Sequence, residues 1–187
     1  MSFTIHTKET APQLSVPYLE HYEQYVGFIP NMIGVLAESP AALAAVAAVN
    51  QAIEQGSLSA IELRVVTVTA SAENGCAYCV PAQSTLAKMA NMADDILEQI
   101  RAAKPLADSK LDALHRFTLN VIHNKGWVVE QDVNEFLRAG YTTAQVMEVI
   151  TLVALMTLTN YVGHIAGLPL DEAFMPQQWQ PENRKTA

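Results

Sequence analysis

An all-α fold is predicted by three features of this sequence. The chain has 187 residues and only eight glycines, and no Asn-Gly or Asp-Gly pair joins two alternating apolar runs. Hairpins should therefore be scarce. Alanine and leucine are abundant, and long stretches follow the helical period. Two Ser/Thr-x-x-Glu/Gln patterns stand before apolar runs, as expected at helix starts. The length suits one domain, or two fused halves that share a core.

The helices can be placed in chain order from their start and end signals. Residues 40–55 are predicted to be helical because Ser39 is a candidate N-cap, Pro40 takes the first position and Gly56 follows the end. Further helices are predicted at 59–73, 109–123, 130–139 and 142–164. The last of these is apolar on nearly all sides, which predicts a central position.

The segment "LRVVTVTA", residues 63–70, is ambiguous because β-branched residues favour strands. Ser59 and Glu62 precede it as a capping box, which favours helix. Thr142 and Gln145 repeat this pattern before a second apolar run of similar length. The two boxes indicate a weak two-fold repeat of helical units, with the cysteines at the end of the first unit.

Composition excludes several classes of function. The net charge of −8 and the pI of about 5.0, without a basic stripe, argue against nucleic-acid binding. The N-terminus lacks the basic start and apolar run of a signal peptide. The longest apolar segment, 146–162, contains Glu148 and is too short and too polar for a membrane span. The sequence therefore predicts a soluble cytoplasmic protein that binds neither nucleic acid nor membranes.

The stretch "ENGCAYCVPAQS" contains the only two cysteines of the chain. A structural zinc site usually needs four ligands, but the sequence has no second CxxC and no HxxxH. No metal is therefore expected. Two other interpretations remain, a pair of inert buried thiols and a redox-active dithiol.

The redox interpretation is favoured by the local sequence. Asn74 and Gly75 should end the preceding helix, so that a new helix starts near Cys76 and brings Cys76 and Cys79 onto one face. Unpaired N–H groups and the helix dipole lower the pKa of a thiol at that position. Gln83 lies four residues after Cys79 and can hydrogen-bond a sulfur or water, but it cannot act as a base.

Three stretches resemble one known family: "NGCAYCVPAQSTLA", "GFIPNMIGVLAESPAAL" and "NYVGHIAGLPLDEAF". They are similar to the alkylhydroperoxidase D and carboxymuconolactone decarboxylase superfamily, in its peroxidase-related branch. The resemblance implies an all-α fold of repeated helical units over residues 27–175. An N-terminal arm at 1–26 and a C-terminal tail at 176–187 would flank this domain.

The resemblance also implies a chemistry. Hydroperoxides or a partner disulfide would be reduced by the dithiol, without metal or organic cofactor, in a homo-oligomer (trimer, hexamer or dimer) served by an external thiol reductant. Cys79 would attack the peroxide and Cys76 would resolve the intermediate. The helix-dipole argument does not choose between the two thiols, although Cys76 lies nearer the expected N-terminus.

The sequence departs from the family at its proton relay. The relay histidine falls on Gln83, and the relay glutamate falls on Arg64. Glu62 is two residues away and is better explained by its capping box. Glu73 stands beside the cysteines and is either a substitute base or an exposed loop carboxylate. Loss of a general base typically costs about 10²–10⁴-fold in rate.

Other candidate groups lie on the predicted 142–164 helix. Asn160 and His164 share one face, either as a satisfied buried pair or as a site facing the cysteines in which His164 supplies the base. Glu148 is expected at a subunit interface. The predicted function is a thiol oxidoreductase with Cys79, Cys76, Gln83, Glu73 and His164 as its catalytic set. The alternatives are a non-enzymatic redox-sensing or assembly protein, and a decarboxylase or lactone-acting enzyme.

Overall fold

The computed structural model describes residues 3–181, and within that range no residue lies in a strand. The predicted all-α class is confirmed. The helices are α1 Val16–Val26, α2 Asn31–Leu36, α3 Pro40–Glu54, α4 Ala60–Glu73, α5 Cys79–Met89, α6 Asp94–Arg101, α7 Ser109–His123, α8 Glu130–Arg138 and α9 Thr143–Ala166. Two 3-10 turns, Gln13–Ser15 and Glu172–Gln177, complete the elements.

The predicted helix starts form as expected. Ser59 accepts a hydrogen bond from the Glu62 N–H while the Glu62 carboxylate accepts one from the Ser59 N–H, and Thr142 and Gln145 make the same pair of contacts. The ambiguous segment 63–70 is helical and lies inside α4. Because α4 packs against α5, α7 and α9, its β-branched residues are buried on several sides, and tertiary packing outweighs their strand preference.

Two apolar clusters form the core. One contains the ring stack of Phe117, Phe136 and Tyr141, with adjacent ring centroids 4.4 Å apart. The other joins α1, α2 and α3 to α9 and includes both cysteines. The dithiol therefore lies in the second core cluster rather than in a surface loop.

Both chain ends contact this framework where the structure describes them. Leu19 of α1 is fully buried, and Ser15 Oγ donates a 2.7 Å hydrogen bond to Ala37 O, so the predicted arm packs on the core. The turn Glu172–Gln177 crosses the predicted boundary at residue 175, and Arg101 Nη2 donates to Gln178 O at 3.0 Å. Residues 1–2 and 182–187, which include half of the predicted tail, lie outside the described residues.

Helix α9 is only partly buried, although the sequence predicts a central helix. Its exposed apolar residues lie along one side at helical spacing, and we call them the exposed α9 face: Met147, Ile150, Leu158, Tyr161 and Ile165. By length and composition α9 could cross a membrane. Core helices of soluble proteins meet the same criterion, and the opposite side of α9 packs in the core.

Glu148, which the sequence analysis places at a subunit interface, has hydrogen-bond partners within its own chain. Its carboxylate accepts hydrogen bonds from the Ser57 N–H at 2.9 Å, the Ser57 hydroxyl at 2.9 Å and the Leu58 N–H at 3.1 Å. These contacts tie the segment before α4 to α9. Hydrogen bonds to a charged group contribute about 1.5–3 kcal/mol each, and orphaned donors are costly.

Replacing Glu148 by alanine is expected to lower the free energy of unfolding by about 2–3 kcal/mol, because the Ser57 and Leu58 N–H groups lose their acceptor. For a chain of this size the melting temperature should fall by roughly 5–10 °C. Urea unfolding of Glu148→Ala and Glu148→Gln measures the effect. Glutamine retains one acceptor oxygen and should lose less, and equal stability of all three proteins would contradict this role.

Candidate active site

The turn before the cysteines is built by the end of α4. Gly75 has φ +69°, which favours glycine. The Cys76 N–H donates to Ser71 O and the Gly75 N–H donates to Ala72 O, both at 3.0 Å, the Schellman pattern of a helix end. The predicted helix break at Asn74 and Gly75 is therefore confirmed, and Cys76 is the first residue after this turn.

Helix α5 begins at Cys79 rather than near Cys76 as expected. The chain already turns helically before that residue, because the Cys79 N–H donates to Cys76 Sγ at 3.1 Å and the Val80 N–H donates to Cys76 O at 3.0 Å. The Cys76 sulfur thus accepts an N–H at the start of the helix, as a side-chain oxygen does at an N-cap. Both cysteines are free thiols, and both are buried.

The two sulfurs pack against bare backbone of α9. A Cβ atom placed on Gly163 would lie 3.3 Å from Cys76 Sγ, 3.8 Å from Cys79 Sγ and 3.5 Å from Met32 Cε. Gly163 therefore leaves the space that the sulfurs and the Met32 methyl group occupy. No sequence pattern distinguishes this glycine from the others, although it lies in the family-like stretch "NYVGHIAG".

Hydrogen bonding makes the two thiols unequal. The pKa of Cys76 is lowered because the Cys79 thiol donates to its sulfur and because the backbone N–H groups of Cys79 and Tyr78 also donate to it. The pKa of Cys79 is raised because its thiol is the donor to Cys76 and is buried. The geometry thus favours a thiolate on Cys76 and a protonated Cys79.

Helix α9 turns Asn160 toward the site and His164 away from it. Asn160 is fully buried, and it contacts Ser71 and accepts a 2.8 Å hydrogen bond from Asn74 Nδ2. A further hydrogen bond to Cys79 favours the thiolate form of that residue. His164 is exposed, with its ring 6.4 Å from that of Tyr161. Within one chain, the pair of Asn160 and His164 is therefore split between core and surface.

The two residues that depart from the family pattern are in direct contact. Arg64 Nη1 of α4 donates a 2.9 Å hydrogen bond to Gln83 Oε1 of α5. Burial lowers the pKa of the Arg64 guanidinium. The sequence analysis identified Arg64 and Gln83 separately as departures from the family pattern, but only the structure shows that the two side chains are hydrogen-bonded to each other.

Glu73 contacts a histidine that the sequence did not connect with it. Its Oε1 lies 2.8 Å from His123 Nε2, which joins the ends of α4 and α7. His115 of the same helix is buried, and its Nδ1 lies 2.8 Å from Thr69 Oγ1. The Glu73 carboxylate is thus directed to α7.

Tyr78 and Asp171 hold the cysteine segment and were missed by the sequence reasoning. The Tyr78 hydroxyl donates to Asp171 Oδ2 at 2.5 Å and accepts the Met32 N–H at 3.2 Å. Asp171 also accepts the Asn31 N–H at 3.2 Å. Their signal was present as the Tyr of "CAYC" and the Asp of "LPLDEAF". This network connects the segment between the cysteines to α2 and to the last 3-10 turn.

Residues 40–110 match the model of the carboxymuconolactone decarboxylase family. The predicted superfamily resemblance is confirmed. No match was found among the curated proteins.

Solved structures share the fold over most of the chain. The alkylhydroperoxidase AhpD core of an uncharacterized peroxidase-related protein from Ralstonia eutropha JMP134 has a TM-score of 0.85 at 22% identity, with 96% of this chain and 97% of that chain covered. A peroxidase-related protein from Silicibacter sp. TM1040 has a TM-score of 0.77 at 18% identity and 89% coverage of both chains. A cysteine-to-alanine variant of the debrominase Bmp8, solved in complex with 2,3,4-tribromopyrrole, has a TM-score of 0.77 at 18% identity and 95% coverage of both chains.

Gly163→Ala is expected to slow alkylation of the reduced thiols by roughly tenfold, because its methyl group must displace Cys76 Sγ by a few tenths of an ångström. The gain in helix propensity offsets part of the packing cost, so the melting temperature should change little. Mass spectrometry after timed alkylation measures the rate. Ala154→Ser on the exposed side of α9 is the control, and unchanged thiol reactivity in Gly163→Ala would contradict the close packing.

Proposed function

We propose that this protein is a thiol-dependent oxidoreductase that reduces hydroperoxides, or a partner disulfide, with Cys76 and Cys79. The observation that carries the proposal is the capped and unequal dithiol, in which Cys76 Sγ accepts the Cys79 N–H at 3.1 Å. Because the pKa of Cys76 is lowered, this residue can react as a thiolate. The adjacent Cys79 thiol supplies both a proton and a second sulfur.

The reaction proceeds in two steps on the sulfurs. The Cys76 thiolate attacks the terminal peroxide oxygen, the O–O bond breaks, and a sulfenic acid and an alkoxide form. Cys79 gives its thiol proton to the alkoxide, and an alcohol leaves. The Cys79 thiolate then attacks the Cys76 sulfur, hydroxide leaves and takes a proton from solvent, and a disulfide remains. An external dithiol returns the pair to its reduced form.

In this scheme Cys79 performs the proton transfer for which Gln83 is unsuited. An amide neither accepts nor releases a proton near neutral pH, but it can donate hydrogen bonds to an oxygen that becomes negatively charged. Neither Glu73 nor His164 is needed for the two steps. The reaction requires a reducing compartment, in keeping with the expected cytoplasmic location.

The test is anaerobic titration of the reduced protein with cumene hydroperoxide, followed by mass spectrometry of the peptide that contains both cysteines. One equivalent of peroxide should consume both thiols and yield one disulfide and one equivalent of alcohol. Retention of both thiols with excess peroxide would refute the proposal. A change in assembly state on oxidation, without catalytic turnover by any dithiol reductant, would favour the redox-sensing alternative.

Reductive dehalogenation is a second candidate, favoured by the similarity of fold to the debrominase Bmp8. A dithiol supplies the two electrons that this chemistry needs. A thiolate takes bromine from carbon, a proton replaces it, and the second thiol closes the disulfide as bromide leaves. Incubation with 2,3,4-tribromopyrrole should then release one bromide for each disulfide formed. Absence of bromide release would exclude this activity for that substrate.

We further propose that a second copy of the chain covers the exposed α9 face, giving the homo-oligomer that the family resemblance implies. From Met147 to Ile165 this face extends about 27 Å along the helix, and Ile165 is 72% exposed. Continuous apolar surface of this kind is typical of protein–protein contacts.

Ile165→Asp is therefore expected to shift the protein to a smaller species in sedimentation velocity, because a charge at this face opposes association. Met89→Asp is the matched control, since Met89 is equally exposed at 73% but lies on α5. An unchanged sedimentation coefficient for Ile165→Asp would show that the contact lies elsewhere.

A further inference from the structure

We infer that Arg64 and Gln83 bind the anionic group of the substrate, so that the dithiol acts on carboxylate-bearing hydroperoxides in preference to neutral ones. The inference rests on the proposed function and names its substrate class.

The pair is connected to the dithiol through helix α5, which carries both Cys79 and Gln83. Gln83 is one helical turn after Cys79 on α5, and residues four apart share a helix face. Arg64 reaches Gln83 from α4 with a 2.9 Å hydrogen bond. A substrate that contacts the sulfurs from this face therefore also meets the two polar side chains.

The guanidinium lacks an anionic partner within residues 3–181. Its one side-chain hydrogen bond there goes to the neutral amide of Gln83, and none of the ion pairs in that part of the chain includes it. Tyr25 of α1 and Glu54 of α3 act on the Arg64 charge without a hydrogen bond or ion pair to it, and both side chains are exposed. A partly desolvated cation without a carboxylate is unfavourable, and binding of an anion offsets that cost.

The cation is not used to stabilise the thiolate. The lowered pKa of Cys76 comes from the Cys79 thiol and from the N–H groups of Cys79 and Tyr78. One of the five guanidinium N–H groups is directed to Gln83, and the guanidinium fork matches the two oxygens of a carboxylate. Because Gln83 Oε1 accepts from Arg64, the Gln83 NH₂ group is left to donate, so both side chains present donors.

A pair of peroxides that differ in charge tests the inference: 4-(2-hydroperoxypropan-2-yl)benzoic acid, an anion at neutral pH, and its neutral methyl ester, each mixed with the reduced protein. The rate of disulfide formation is followed by quenched-flow mass spectrometry. The acid is expected to react about tenfold faster than the ester, the ratio that one charge-assisted hydrogen bond supports. In Arg64→Gln this ratio should fall to about one.

Arg101→Gln is the matched control, because it removes the same charge from another partly buried arginine, one that is bonded to Gln178. It should retain the acid-to-ester ratio. Equal rates of acid and ester in the unaltered protein would overturn the inference while leaving the peroxidase proposal intact. If Arg64→Gln slowed the acid and the ester equally, Arg64 would act on the reactivity of the thiols rather than on substrate binding. That result would also overturn the inference. Failure of both peroxides to oxidise the dithiol would refute the proposed function itself.

Discussion

Cys79→Ser is expected to react once with a hydroperoxide and then stop, with a sulfenic acid held on Cys76. Cys76→Ser is expected to lose the fast reaction with peroxide altogether. The reason is the inequality of the two thiols, since the Cys76 sulfur accepts hydrogen bonds from the Cys79 thiol and from two backbone N–H groups. Dimedone labelling after one equivalent of peroxide, with mass spectrometry of each variant, measures both outcomes.

One further variant, Cys79→Ala, separates the loss of a hydrogen bond to Cys76 from the loss of a resolving thiol. Cys79→Ser keeps a donor beside Cys76, whereas Cys79→Ala removes it, so alkylation of Cys76 should require a higher pH in Cys79→Ala. Ala77→Ser, between the cysteines, is the control for an added hydroxyl. The opposite pattern, with a sulfenic acid on Cys79 in Cys76→Ser, would identify Cys79 as the attacking residue, as the family resemblance implies.

The helices were predictable because their signals are local. Ser59 with Glu62, and Thr142 with Gln145, specify helix starts within four residues, and the structure contains both capping boxes. Gly75 likewise specified the end of α4. The start of α5 is less well predicted, because regular helix begins only at Cys79 although Cys76 already accepts the Cys79 and Val80 N–H groups.

The candidate site was only partly predictable because its contacts connect distant parts of the chain. The CxxC spacing identified the dithiol, but Gly163 reaches the sulfurs from α9 and Asp171 reaches Tyr78 from the last 3-10 turn. Helical periodicity placed Asn160 and His164 on one side of α9. That side spans the edge between core and surface, so one residue is buried and the other exposed.

Substitutions at the two relay positions, 64 and 83, are expected to raise the rate of dithiol oxidation only when they are made together. Gln83→His alone should give little gain in the rate of dithiol oxidation. Arg64 would donate to one imidazole nitrogen and, as a neighbouring cation, would lower the pKa of the ring. The other nitrogen would then carry the proton and could not accept one from the substrate. Arg64→Glu alone should give no gain, since Gln83 cannot transfer a proton.

The double variant, Arg64→Glu with Gln83→His, is expected to raise the rate at neutral pH by about 10²-fold or more, the contribution of a restored general base. The carboxylate would accept one imidazole N–H, which raises the histidine pKa and leaves the other nitrogen free to accept a proton. Cumene hydroperoxide is the appropriate substrate, because a neutral peroxide does not depend on anion binding by Arg64. Together with the unaltered protein, the two single variants and the double variant form a mutant cycle, which measures the coupling free energy between positions 64 and 83.

A single Gln83→His variant as fast as the double variant would show that Arg64 does not limit proton transfer by a histidine at position 83. A double variant no faster than the unaltered protein would show that proton transfer does not limit the rate, because Cys79 already supplies the proton fast enough.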